Sequence, residues 1–142
     1  MKPALPACLT TALALAALPA PAQEEIGERL LIELNAVESH EDGCKLSFLV
    51  LNGYPADIDR AVFETVLFDA GGQVDRLTLF DFGALPANRP RVRQFVVPGV
   101  DCAGLGRVLF NGAQTCEGAG LDPRACETGL RLESRTDIEV TG

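Results

Sequence analysis

The sequence predicts an all-β domain, an antiparallel sandwich of about seven strands preceded by a cleavable signal helix. Short apolar stretches alternate at period two or are crowded with β-branched and aromatic residues. Gly, Pro, Asn and Asp punctuate them at short intervals. Beyond residue 22 no stretch sustains the 3.6-residue period of an amphipathic helix.

Residues 1–22 carry an export signal: Lys2 supplies the positive start, Leu9 to Leu18 the apolar run, and Ala20-Pro21-Ala22 the small-residue cleavage site before Gln23. An apolar run this short falls well below the roughly twenty residues that span a bilayer, so cleavage is expected rather than anchoring. Leu5-Pro6-Ala7-Cys8 has the look of a lipobox, but it precedes the apolar run that a lipobox should follow. Only an upstream start codon would make Cys8 a lipidated cysteine. No Arg-Arg accompanies Lys2, so the general secretory route is expected.

Glu28 to Val37 places Leu30, Ile32, Leu34 and Ala36 on one face of a strand, with a helix from Glu24 as the competing reading. A polar break at Glu38 to Gly43 follows. Cys44, Leu46, Phe48 and Val50 then alternate with Lys45, Ser47, Leu49 and Leu51 in a second strand, which Asn52-Gly53-Tyr54-Pro55 ends. Ala61 to Asp69 and Val74 to Phe82 flank Gly71-Gly72 and predict a hairpin, because paired glycines tolerate the positive φ of primed turns. Gly83 to Pro90 reads as loop, Arg91 to Val97 as a strand, and 107–110 as a short strand stopped by Asn111-Gly112. Past Gln114 the periodicity weakens, and Asp137 to Thr141 reads as a last edge strand. These strands suggest an immunoglobulin-like topology. The buried Trp of antibody-type domains is missing, since the chain has no Trp.

Residues 23–142 suit one domain with a modest core. Without Lys2 that domain holds 11 basic and 20 acidic residues, a net charge of −9. This argues against nucleic acid and anionic lipid as partners, both of which need a basic footprint. Cys44, Cys102, Cys116 and Cys126 form an even set in an oxidising compartment, which makes two disulfides the default. Three connectivities are open. Cys44 with Cys102 and Cys116 with Cys126 is the favoured one, because the latter pair brackets the turn-rich, apolar-poor Glu117 to Ala125. No Cys-x-x-Cys occurs to suggest a redox or zinc site.

Glu64-Thr65-Val66-Leu67-Phe68-Asp69, Arg76 to Pro86 and Arg91-Val92-Arg93-Gln94-Phe95 together resemble small exported proteins of alphaproteobacteria labelled as carrying a Tat signal domain. The resemblance implies a Gram-negative periplasmic setting and assigns no activity.

The candidate sites are few. His40, in Glu38-Ser39-His40-Glu41-Asp42, reads as a solvated loop rather than a cation site, and Asp57 and Asp59 read as turn-stabilising. A Ser-His-Asp triad would have to recruit His40, and no Gly-x-Ser-x-Gly occurs. No carboxylate spacing singles out a glycosidase pair. Phe80, Phe82, Leu85 and Phe95 are expected in the core, with an apolar recognition patch as the alternative. The most distinctive polar feature is Arg89, Arg91 and Arg93, which at strand spacing form a row on one face. Such a row pairs with the chain's own Glu64, Asp75 or Asp81, or docks an acidic partner. The leading expectation is a non-catalytic periplasmic interaction or accessory module of an envelope assembly. It would use no cofactor, catalytic residue or metal, and its partner would be an acidic envelope protein. A small-ligand or metal-binding protein is the alternative, and a hydrolase the third.

Overall fold

A computed structural model describes Met1, Pro3, Ala4 and residues 26–142. The export signal, its cleavage site, the Cys8 motif and the start of the alternative helix at Glu24 lie outside the described residues.

Eight strands build a sandwich of two four-stranded sheets. They are β1 (Leu30–His40), β2 (Gly43–Asn52), β3 (Ile58–Asp69), β4 (Val74–Leu85), β5 (Arg91–Pro98), β6 (Leu105–Glu117), β7 (Leu130–Ser134) and β8 (Glu139–Thr141). One sheet has the order β5-β2-β1-β7 and the other β4-β3-β6-β8. All pairings are antiparallel except β1 with β7 and β6 with β8, which are parallel. A 3-10 turn at Cys102–Gly104 and one helical turn, α1 (Ala125–Thr128), complete the secondary structure of the described residues.

The alternation in β1 and β2 fixes which face is buried. Leu30, Ile32, Leu34, Cys44, Leu46, Phe48 and Val50 are all sealed from solvent. Ala36 does not join them. A register shift between Leu34 and Ala36 adds one residue to β1, and Val37 packs against the core instead. The polar stretch read as a break is the strand's own end, since β1 runs to His40 and turns back at Gly43. A side chain at Gly43 would strike the Val97 carbonyl of β5, so only glycine lets the two strands approach there.

The β3–β4 hairpin forms around Gly72, whose φ of +84° suits glycine. Asp69 closes the turn by accepting Gly72 N–H on its carbonyl and Gln73 N–H on its carboxylate. Here Gly83 to Leu85 belong to β4 rather than to a loop. The largest departure is β6, which runs through Asn111-Gly112 instead of stopping there. Register shifts place Glu64 opposite Gly112 and Thr65 opposite Phe110, so Asn111 is absorbed as a bulge, and its amide donates to Glu64 at 2.6 Å. The Asn-Gly pair of a turn signal thus becomes an irregularity inside a long strand held by β3. β7, unexpected from the sequence, is a five-residue Leu-x-Leu segment too short to show a period.

One apolar cluster joins the two sheets. Six phenylalanines meet in it: Phe48 lies edge-on to Phe82, Phe95 and Phe110, Phe63 touches Phe82 and Phe110, and Phe80 stacks on Phe95 at 4.4 Å. Burying a side chain of this size stabilises by roughly 2–3 kcal/mol. Phe80, Phe82 and Leu85 are therefore interior, with Phe95 half-buried against them, and they offer no recognition patch. Two disulfides brace the frame. Cys44–Cys102 ties the start of β2 to the β5–β6 crossover, and Cys116–Cys126 ties the end of β6 to α1. This is the pairing the sequence favours, and disulfides of this kind suit an oxidising extracellular or periplasmic compartment. Among the described residues no helix is long and apolar enough to cross a membrane.

Candidate functional site

The arginine row lies at one side of the sandwich, where β5 of one sheet runs beside β4 of the other. β4 and β5 are the outermost strands of their sheets, and the loop between them is pinned from below. Asn52, fully buried, donates its amide to the carbonyls of Ala56 and Leu85, accepts Tyr54 N–H on its side chain, and accepts Asn88 N–H on its own carbonyl. The Asp57 carboxylate accepts Ala87 N–H. Asp57 thus stabilises a turn as expected, whereas Asp59 sits exposed within β3.

From this anchored loop the chain emerges with Arg89 exposed, ahead of the strand, and Arg91 and Arg93 inside β5. Along β5 the burial alternates: Arg91, Arg93 and Phe95 are half-buried and Val97 buried, while Val92, Gln94 and Val96 face solvent. The spacing does place Arg91 and Arg93 on one face, but that face looks into the seam between the sheets. Arg93 donates through Nε to the Phe82 carbonyl at 2.7 Å, through Nη2 to the Ala84 carbonyl at 2.8 Å, and through Nη1 to the Val92 carbonyl at 3.0 Å. Arg91 donates to the Pro90 carbonyl at 3.0 Å. From the opposite strand Arg76 donates to the Pro98 carbonyl at 2.7 Å. Guanidinium groups therefore stitch β4 to β5 through main-chain oxygens, above and below the stacked Phe80 and Phe95.

The acids expected to neutralise the row are engaged elsewhere. Asp81 pairs with Arg60 at 2.9 Å and Asp75 with Arg76 at 2.6 Å, and Glu64 accepts from Asn111. The reason is orientation: in their cross-strand rows Glu64 and Asp81 stand on the outward face of β3 and β4, away from the seam. Arg60 and the Gly83 N–H hold the Asp81 carboxyl below its ordinary range. Lys45, Arg60, Arg76, Arg107, Arg131 and Arg135 each meet an acid, whereas among the described residues none of Arg89, Arg91 and Arg93 does.

The remaining candidates stand apart from the row. His40 occupies the β1–β2 tip, where its Nδ1 accepts Asp42 N–H at 3.1 Å, and the Asp42 main-chain oxygen accepts from Gly99. Among the described residues no three His, Cys, Asp or Glu side chains gather as a metal site. Glu33, a buried acid on β1 that the alternation does not single out, is satisfied by Arg135 at 3.0 Å and by Asn35 at 2.8 Å. A cavity of about 360 Å³ opens between the β2–β3 turn and α1, bordered by Glu28, Tyr54, Leu121, Asp122 and Thr128. Tyr54 donates its hydroxyl to the Ala125 carbonyl at 2.8 Å. Burial, opposed by a hydrogen bond with Thr128 and aided by Asp122 and Glu28, raises the pKa of that hydroxyl. Neither His40 nor Glu33 borders this cavity. Comparison with protein-family models, curated proteins and solved structures finds no match for the chain.

Proposed function

We propose that the protein is a non-catalytic interaction module of the periplasm, an accessory of an envelope assembly that grips an acidic partner through Arg89 and Arg91. One observation carries this reading. In a domain of 11 basic and 20 acidic residues, the alternate arginines 89, 91 and 93 stand together without an acid among the described residues, while six of the eight other cations are paired. Guanidinium groups that meet only carbonyl dipoles keep their full charge available to carboxylates, which they bind in bidentate fashion. Arg93 is the positioning residue, because its bonds to β4 hold the strand that presents its neighbours. The two disulfides and the signal at residues 1–22 support the exported setting. An immunoglobulin-like topology is supported by β2 pairing with β5 in one sheet and β3 with β6 in the other, as the corresponding strands of such domains do. The parallel β7 and β8 are additions to that plan.

The test replaces both outer arginines, Arg89→Ser with Arg91→Ser, and leaves Arg93 in place to preserve the seam. Affinity capture from a periplasmic extract is expected to recover an acidic protein with the wild-type chain, to lose it with the double variant, and to lose it as salt rises. Equal capture by both chains overturns the assignment of the row as a docking surface.

A further inference from the structure

The loop that delivers Arg89 is exposed yet tied down at every residue. Asn88, Arg89 and Pro90 all face solvent, and residues 86–90 lie in no strand or helix. Exposed connections of this kind are ordinarily the mobile parts of a domain. Here each successive main-chain donor is engaged or absent. Ala87 N–H goes to the Asp57 carboxylate at 2.7 Å, Asn88 N–H to the Asn52 carbonyl at 2.7 Å and Arg89 N–H to the Pro86 carbonyl at 3.4 Å, while Pro90 has none. Asn88 has a φ of +55°, and among the described residues no other non-glycine residue has a positive φ. Asparagine tolerates that conformation, whereas a β-branched residue is strained by it. The anchors are themselves fixed. Asn52 is buried, and Gly118 packs so closely on Asp57 that a side chain there would strike the Asp57 carbonyl.

A fixed spacing results. The residue before a proline is held extended and proline fixes its own φ, so Arg89 leads straight into Arg91 at the start of β5. Alternate residues of an extended chain lie roughly 7 Å apart and project to one side. Arg91 is steadied by its bond to the Pro90 carbonyl. Two guanidinium groups placed in advance lose little freedom when they are bound, and preorganisation of this kind adds affinity. Their complement is a pair of carboxylates at the same spacing, which glutamates at alternate positions of an extended segment supply. Adjacent glutamates point to opposite faces and offer only one carboxylate to the row.

We propose that Arg89 and Arg91 form a preformed clamp for two alternate carboxylates of an extended partner segment, with Asp57 and Asn88 as its positioning residues. The clamp rests on the docking role of the row and adds what holds it and what it grips. Asp57 gives the test a sign. Its charge repels an acidic ligand, so removing the charge alone favours binding, whereas removing its hydrogen bond frees the loop and opposes binding. The probes are two terminally blocked peptides of identical composition, one with two glutamates at alternate positions and one with them adjacent, titrated by fluorescence anisotropy at low salt. The wild type is expected to prefer the alternate peptide, and Arg89→Ser with Arg91→Ser to lose it. Asp57→Asn keeps an acceptor for Ala87 N–H and is expected to bind at least as well as wild type. Asp57→Ala is expected to bind roughly threefold to tenfold more weakly, the cost of ordering a freed arginine anew. Asn88→Val weakens binding to a similar degree, and Asn88→Gly restores it. Amide hydrogen exchange is expected to find Ala87, Asn88 and Arg89 protected in the wild type and released in Asp57→Ala. Peptide binding that survives the double serine variant overturns the docking role itself. Binding lost in that variant but unchanged in Asp57→Ala and Asn88→Val overturns the positioning roles alone, as does a wild-type loop whose amides exchange freely. A wild type that binds both peptides alike, or neither, overturns the paired-carboxylate clamp.

Discussion

Arg93 makes three hydrogen bonds from one guanidinium, two of them to the carbonyls of Phe82 and Ala84 across the seam and one to Val92 of its own strand. Lysine, with a point charge in place of a planar fork, cannot serve two adjacent strands in this way. Arg93→Met keeps the stem and removes the fork. It is expected to cost about 2 kcal/mol in urea unfolding, within the range for hydrogen bonds to a charged group at a half-buried site. Arg89→Ser, at an exposed loop position, is expected to stay within about 0.5 kcal/mol of wild type. Tyr54 supplies a pH dependence at the same scale. Its hydroxyl pKa lies above the ordinary 10.0 in the folded chain, chiefly through burial, so the folded state holds that proton more tightly than the unfolded state. The resulting stability is whole below pH about 10 and is lost as pH rises through the folded value. Chemical denaturation between neutral and strongly alkaline pH is expected to show this loss in the wild type, and a smaller one in Tyr54→Phe.

The strands show which elements the alternation reveals and which it hides. β2 was legible to the residue because Cys44, Leu46, Phe48 and Val50 alternate inward without a break, in unbroken register with β5 and opposite a β1 that carries the extra residue of the bulge. β6 was legible only in its first half. An Asn-Gly pair signals a turn locally, yet pairing with β3 along both sides of the bulge outweighs that preference. The arginine row was readable as a shared face for Arg91 and Arg93, but not as a face turned inward. Which side of an edge strand looks into the sandwich depends on Phe95 and Val97 further along, and on a β4 that is distant in the sequence. The disulfides act at this same scale. Cys44–Cys102 closes a separation of 58 residues and Cys116–Cys126 one of 10. Loop-closure entropy then gives about 4 kcal/mol for the first and about 2.7 kcal/mol for the second. Cys44→Ala with Cys102→Ala is therefore expected to lower the urea midpoint more than Cys116→Ala with Cys126→Ala. The reverse order would show that native packing around the C-terminal turn outweighs loop closure.

At the scale of the molecule, the sandwich was legible because its phenylalanines alternate inward from strands of both sheets and leave one interior. Its parallel outer strands were not, since a three-residue β8 and a five-residue β7 carry too little pattern to reveal their direction. The lateral boundaries of the sheets are handled by side chains. Arginines occupy carbonyls along β4 and β5, and the Glu127 carboxylate of α1 accepts the N–H of Ala113 in β6 at 3.1 Å. Main-chain groups engaged in this way are withdrawn from pairing with a foreign strand, a hazard that sandwich proteins must manage.

The parallel partnership of β1 with β7 also sets an order in time. Leu30 to Leu34 pair with Leu130 to Ser134, so the strand nearest the start of the domain waits for one near its end. A chain that emerges N-terminus first can form the β1–β2 hairpin early, yet β1 keeps one flank vacant until almost the whole domain has followed. Long-range pairings of this kind slow folding. β7 emerges only after both Cys44 and Cys102, so the chain can close that bridge before β1 gains its second neighbour.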